Sequence, residues 1–175
     1  MKITGKRYVD YSSFIKLHFG ERVQKISLDI GFSCPNRDGS KGFGGCTYCN
    51  NNSFNPDYCE PQKSIKQQLE QGIAFFSKKK RQEKYLAYFQ AYTNTYSDFE
   101  SLKKLYDEAL SVPRVVGLVI GTRPDCISKE IIDYGFFKAL IGERIRFKYK
   151  ILGSRLNILY TLADSYLAIA PLSLD

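Results

Sequence analysis

Lys25-Ile-Ser-Leu-Asp-Ile-Gly-Phe-Ser-Cys34-Pro-Asn-Arg-Asp-Gly-Ser-Lys-Gly-Phe-Gly-Gly-Cys46-Thr-Tyr-Cys49 begins as a weakly alternating apolar run and delivers a cysteine just past its end. Ile26, Leu28 and Ile30 share one face of a predicted strand over residues 25–31, so a cysteine loop begins where the strand stops. Eleven residues separate Cys34 from Cys46, and two separate Cys46 from Cys49. Cys46-x-x-Cys49 offers two thiols at the spacing of one short turn, which Cys34 joins only by folding back. Gly39, Gly42, Gly44 and Gly45 permit positive φ and close backbone approach. Such a loop is able to wrap a bulky inorganic cofactor and turn amide donors toward its sulfurs.

Spacing alone leaves three readings open. Three thiolates suit a cubane cluster with one iron open to a substrate, because structural zinc normally takes four ligands. Cys59, with nine residues between it and Cys49, completes a zinc site of Cys34, Cys46, Cys49 and Cys59 by the same arithmetic. The third reading is a set of unligated buried thiols packing as small hydrophobes.

Outward from the loop, residues 1–22 read as a polar leader in which Tyr8, Tyr11, Phe14 and Phe19 follow no sustained period, and His18 reads as a surface or packing residue rather than a ligand. Ser64-Ile-Lys-Gln67 has the form of a capping box, and Ile65, Leu69, Ile73 and Phe76 recur at helical spacing, predicting a helix over about 64–80. Tyr85–Tyr92 is a dense aromatic run, read as a buried strand that ends in the polar segment Thr93-Asn94-Thr95. Asp98 caps a second predicted helix carrying Phe99, Leu102, Leu105, Tyr106, Ala109 and Leu110 on one face, and Pro113 stops it. Val115–Ile120 is a third strand, Gly121–Asp125 a turn, and Ser128 the cap of a third helix. Strand and helix alternating with short links is the pattern of parallel βα units, whose functional groups gather at the carboxyl ends of the strands.

The 175 residues suit one domain with a sizeable core, and 43% hydrophobic with 14% aromatic residues excludes a disordered chain. Five cysteines clustered near a glycine-rich loop suit metal chemistry in a reducing compartment better than a disulfide framework. Met1-Lys-Ile-Thr-Gly-Lys-Arg-Tyr8 is no charged-then-apolar leader, and Ile158–Leu174 is interrupted by Asp164 and Pro171 and too short for a bilayer. A cytoplasmic protein with no membrane partner is expected. The 26 Lys and Arg against 18 acidic residues, a net charge of +8, favour a polyanionic partner such as nucleic acid. Lys78-Lys-Lys-Arg81 at a predicted helix end is equally explained by the helix dipole and solvation.

The stretch Lys25–Cys49 resembles the opening of the radical S-adenosylmethionine enzymes, in the uncharacterised bacterial branch related to the elongator catalytic subunit, whose long spacing before the final cysteine pair it shares. Tyr88-Phe-Gln-Ala-Tyr-Thr-Asn-Thr-Tyr96 and Gly117-Leu-Val-Ile-Gly-Thr-Arg-Pro-Asp-Cys126 are similar to two further motifs of that branch, in the same order. The resemblance covers residues 5 to 133 and implies a partial TIM-like (β/α) barrel of which the first three βα units are present. It implies that Cys34, Cys46 and Cys49 hold a [4Fe–4S] cluster whose fourth iron binds S-adenosylmethionine, and that reductive cleavage releases a 5′-deoxyadenosyl radical. Tyr48 falls where the family places an aromatic ring near the adenine; Gln90, Tyr92, Thr93 and Asn94 fall around the methionine moiety. Arg123 suits a carboxylate or phosphate, with Asp125 as its alternative partner. Cys126 has no motif role and reads as buried. Partners implied are an electron donor such as a flavodoxin or ferredoxin and, since some relatives act on transfer RNA, tRNA or another RNA.

Beyond residue 133 the resemblance stops. Residues 134–175 lack the further βα units and the Glu-Leu-Gly-Leu-Gln motif of the family, and read as a foreign tail of a truncated or frame-shifted gene, leaving an open sheet edge after Val115–Ile120. The sequence therefore supports a radical S-adenosylmethionine enzyme, with a zinc-stabilised nucleic-acid-binding module or an inactive enzyme fragment as alternatives.

Overall fold

A computed structural model describes residues 11–46, 49, 55–78, 84–134, 159–161 and 165–169. The chain is α/β. Helix α1 (Tyr11–Phe19) leads to β1 (Gln24–Leu28), then α2 (Ile65–Ser77), β2 (Tyr85–Phe89), α3 (Phe99–Ser111) and β3 (Val115–Thr122). A 3-10 turn at Pro124–Cys126 precedes α4, described over residues 129–134, and two short strands follow, β4 (Leu159–Thr161) and β5 (Ser165–Ile169).

β1, β2 and β3 pair in parallel, with Leu28 beside Phe89 and Phe89 beside Ile120, so their carboxyl ends lie level at one edge. Parallel neighbours require crossovers, and α2 and α3 supply them. β2, flanked by β1 and β3, is apolar on both faces: Tyr85, Ala87 and Phe89 join Ile26, Leu28, Leu118 and Ile120 beneath α2 and α3, while Leu86 and Val119 on the opposite face meet Ile15 and Val23. Burial on both sides is why β2 reads as a continuous apolar run rather than an alternating one.

Two expectations are corrected here. Within the stretch read as a polar leader without a sustained period, Tyr11–Phe19 is a helix that covers one face of the sheet through Ile15, 2% exposed, while residues 1–10 lie outside the described residues. Its end was legible: Gly20 stands at φ 76° and its N–H donates to Lys16 O at 3.0 Å, a glycine stop. The edge of β3 is not open either. β5 pairs with it in parallel and β4 lies antiparallel beyond, giving a five-stranded sheet in the order β1-β2-β3-β5-β4. Pairing satisfies the backbone groups that a bare parallel edge would expose.

Local chemistry fixes the crossover helices. Ser64 and Gln67 form the capping box on α2, Asp98 caps α3 by accepting from Ser101 N at 2.9 Å, and Ser128 Oγ accepts from Ile131 N at 3.3 Å to start α4. The buried face of α2 is Ile65, Gln68, Leu69 and Gly72. A Cβ on Gly72 would run into Ile26 Cγ2 and stand 2.9 Å from Tyr58 Cε2, so glycine is what lets the helix approach β1. Gly72→Ala is expected to lose roughly 1–2 kcal/mol net, overpacking outweighing about 1 kcal/mol gained in helix propensity. A lower urea midpoint at unchanged slope is the measurement; a raised midpoint would show that α2 shifts outward freely.

Candidate functional site

The three motifs converge at the carboxyl edge. From the end of β1 the cysteine loop turns at once, with Arg37 N and Asp38 N both donating to Cys34 O, at 2.8 and 3.2 Å. Lys41 N and Gly42 N donate to Pro35 O, a short antiparallel bridge joins Asp38 to Phe43, and Gly45 N returns to Asn36 O at 2.9 Å. Gly39, Gly44 and Gly45 adopt positive φ, which only glycine does without strain, while Gly42 does not need it. Cys49 N donates to Cys46 O at 3.0 Å, closing Cys46-x-x-Cys49 as the single turn its spacing predicts.

The loop is tied to the other two strand ends. Arg37 stacks on the Tyr92 ring at 4.5 Å, Ser40 and Tyr96 share a hydroxyl hydrogen bond of 2.8 Å, and Thr93 N donates to Ser33 O at 3.3 Å. Tyr92 holds φ 59°, a left-handed conformation sparsely occupied by side chains of its size. Thr93 and Asn94 are 1% and 0% exposed. Asn94 bonds Gly121 O through both its N–H and its Nδ2, and its carbonyl accepts from Tyr106 Oη at 2.6 Å. Thr95 Oγ1 meets Thr122 Oγ1 and donates to Cys126 O. Asn94 and Thr95 therefore act first as the joint between β2 and β3, and Thr93 as a tie to the cysteine loop. Asn94 Oδ1 is buried with no hydrogen-bond partner, an open acceptor at the strand end.

At the end of β3, Arg123 Nε and Nη2 each donate to the Asp125 carboxylate at 2.9 Å, and Lys41 from the cysteine loop pairs with the same carboxylate. Asp125 is thus the partner of Arg123. The hydrogen bond from Arg123, assisted by Lys41, holds the Asp125 carboxyl well below the usual carboxylate range, against a burial effect that raises it. Near the surface such a pair contributes about 1 kcal/mol or less. That contribution is complete above the ordinary carboxylate pKa of about 4 and is lost as pH falls through the depressed one. Asp125→Asn is therefore expected to be slightly less stable at neutral pH, with the difference narrowing below about pH 4. Denaturant midpoints across that range check it; a gap that persists undiminished in acid would remove the carboxylate as its cause.

Cys34, Cys46 and Cys49 are partly exposed, and all five cysteines stand as thiols outside disulfides. Cys34 lies within electrostatic reach of Arg123 and Cys126. Cys126 is half-buried rather than buried; burial, with Asp125 beside it, pushes its thiol up. Cys59 belongs to the core, 5% exposed among Ile26, Leu28 and Ile65, and desolvation, with Asp29 nearby, pushes its thiol up to about 12. Among the described residues, no three His, Cys, Asp or Glu side chains stand close enough to share a metal ion. Tyr48 lies outside the described residues, as do the basic positions 79–81.

Sequence reasoning missed a polar network beneath the loop. The Asp29 carboxylate, at the end of β1, accepts from Gly31 N at 2.9 Å and Asn55 Nδ2 at 3.0 Å, and Asn55 Oδ1 accepts from Gln90 Nε2 at 3.4 Å. Gln68 of α2 brackets the Asp29 backbone from below, accepting from its N–H at 3.0 Å and donating to its carbonyl at 2.9 Å. The signal was a glutamine on the apolar helical face of α2, one turn from Ile65 and adjacent to Leu69.

Parts of several curated proteins are similar in sequence to this chain. The chain is 46% identical over 115 residues to the protein YhcC of Escherichia coli K12, a match covering 66% of this chain and 36% of that one. It is 38% identical over 131 residues to YtqA of Bacillus subtilis, covering 75% and 41%, and 37% identical over 131 residues to MJ0486 of Methanocaldococcus jannaschii, covering 74% and 39%. The matched part thus spans 36% to 41% of the length of these curated relatives. No family model matches the chain, and no solved structure matches it. Among the described residues no helix is long and apolar enough to cross a membrane.

Proposed function

We propose that this chain carries the cofactor-binding part of a radical S-adenosylmethionine protein, its three βα units forming the first half of a partial (β/α) barrel. The observation that carries the reading is the loop: three partly exposed thiols, outside disulfides, on one glycine-turned segment at the carboxyl edge of a parallel sheet. The donor set fits a thiolate-held [4Fe–4S] cluster. Cys34, Cys46 and Cys49 would hold it, which requires the Cys46–Cys49 turn to close on Cys34. When bound, such a cluster supplies one electron for reductive cleavage of the sulfonium.

The chain's own residues bind and orient. Gln90 and Tyr92, part-exposed at the end of β2, and the donors of Arg123 not engaged by Asp125 line the rim where the methionine moiety of S-adenosylmethionine would lie. Behind them Asn94 ties the end of β2 to Gly121 of β3, and Thr93 ties it to Ser33 at the start of the cysteine loop. The net charge of +8 supports an RNA substrate, and a reduced flavodoxin or ferredoxin would be the electron source. The zinc reading loses its fourth thiol, because Cys59 faces the core.

Anaerobic reconstitution with iron and sulfide, followed by dithionite and S-adenosylmethionine, tests the proposal. About four irons per chain, with 5′-deoxyadenosine formed, is the expected result. A colourless protein that retains zinc and takes up no iron would overturn it.

A further inference from the structure

Asn36 lies two residues past Cys34 and is turned back so that it holds both Gly45, at its backbone N–H, and Cys46, at its sulfur. Its carbonyl accepts from Gly45 N at 2.9 Å, and its Nδ2 donates to Cys46 Sγ at 3.2 Å. Arg37 holds the same point from the other side: a Cβ on Gly45 would stand 3.1 Å from Arg37 Cγ, and the guanidinium is stacked on Tyr92. Pro35 is buried and its carbonyl is engaged by Lys41 and Gly42. The carboxamide is therefore anchored by its neighbours on either side, and the sulfur it meets belongs to the proposed triad.

We infer that Asn36 is a positioning residue that raises the reduction potential of the iron–sulfur cluster held by this loop, by donating a hydrogen bond to the Cys46 sulfur. The inference rests on the cluster reading above. An N–H aimed at a ligating sulfur withdraws electron density from it and stabilises the more negative, reduced form, so hydrogen bonds to sulfur are among the terms that set a cluster's potential. The loop supplies this donor from a side chain, which makes it removable without altering the backbone path.

The test is the midpoint potential of the reconstituted chain, followed by the spin-half signal of the reduced cluster during an anaerobic titration, with iron counted for every variant. Asn36→Leu removes the donor, Asn36→Asp replaces it by an acceptor of the same shape, and Asn36→Ser keeps a shorter hydroxyl donor. The expected order is unaltered chain highest, Ser next, Leu lower and Asp lowest. A purely loop-closing role would lower iron content or melting temperature while leaving the potential of the cluster that remains in place. Leu and Asp variants at unchanged or more positive potential overturn the inference; should Leu hold no cluster, the Ser and Asp pair decides it alone. An unaltered chain that binds no iron overturns the cluster reading itself, a different failure from a cluster whose potential ignores Asn36.

Discussion

Alanine at Cys34, Cys46 or Cys49 is expected to cut the iron retained after reconstitution from about four per chain to near zero, whereas alanine at Cys59 leaves it unchanged. A cubane held by three thiolates has no spare protein ligand, so each deletion exposes two irons instead of one and the cluster disassembles. Cys59 differs in surroundings rather than chemistry: it packs among Ile26, Leu28 and Ile65 in the core, and its thiol is pushed up to about 12, so it stays protonated. Its removal is expected to appear in stability instead, at about 1–2 kcal/mol for a small cavity. Cys126 separates two donor sets. It lies within electrostatic reach of Cys34, and iron retained in Cys126→Ala confirms three ligands, whereas iron lost there identifies a fourth. Iron lost in Cys59→Ala would sink the triad. The measurement is iron and sulfide per chain in the five single variants, each with a far-ultraviolet spectrum to establish folding.

The elements were legible where one period dominated. α2 and α3 carry apolar residues at helical spacing behind Ser64 and Asp98 caps, and β2 is a run buried on both faces, so each was placed to within a few residues. α1 was missed because its aromatic residues obscure the period, Ile15 being its buried contact among the described residues; Gly20 was the unused signal. The pairing of β5 with β3 joins residues more than forty positions apart, and no local pattern in the tail encodes a non-local partner.

The site was legible in placement but not in side-chain direction. Sequence pattern put Cys34, Thr93–Thr95 and Arg123–Asp125 just past strand ends, and they follow β1, β2 and β3, although β2 stops at Phe89 rather than Tyr92. It did not show that Thr93 and Asn94 are buried, following Tyr92 at φ 59°, with the Asn94 side chain on Gly121 O. Nor did it show Asn36 meeting Cys46, a contact created by positive φ at Gly39, Gly44 and Gly45 together. Backbone reversals of this kind decide orientation, and a glycine permits them without specifying them.

Gln68→Leu is expected to lose about 2–5 kcal/mol of stability, a large share of what a small domain possesses. Gln68 is 0% exposed and satisfies three backbone groups, accepting from Asp29 N and donating to Asp29 O and Lys63 O. Leucine matches its volume and its apolar neighbours Ile65 and Leu69, so the loss reports unsatisfied polar groups rather than a cavity. The consequence extends upward, because the Asp29 carboxylate above it accepts from Gly31 N and Asn55 Nδ2, and Asn55 in turn meets Gln90 at the rim. Gln68→Leu is therefore expected to speed exchange of the Asp29 and Gly31 amides by more than the global loss of stability accounts for, while amides at the centre of β2 follow the global change. Uniform acceleration would confine Gln68 to the core; a loss below about 1 kcal/mol would mean that water replaces its bonds without difficulty.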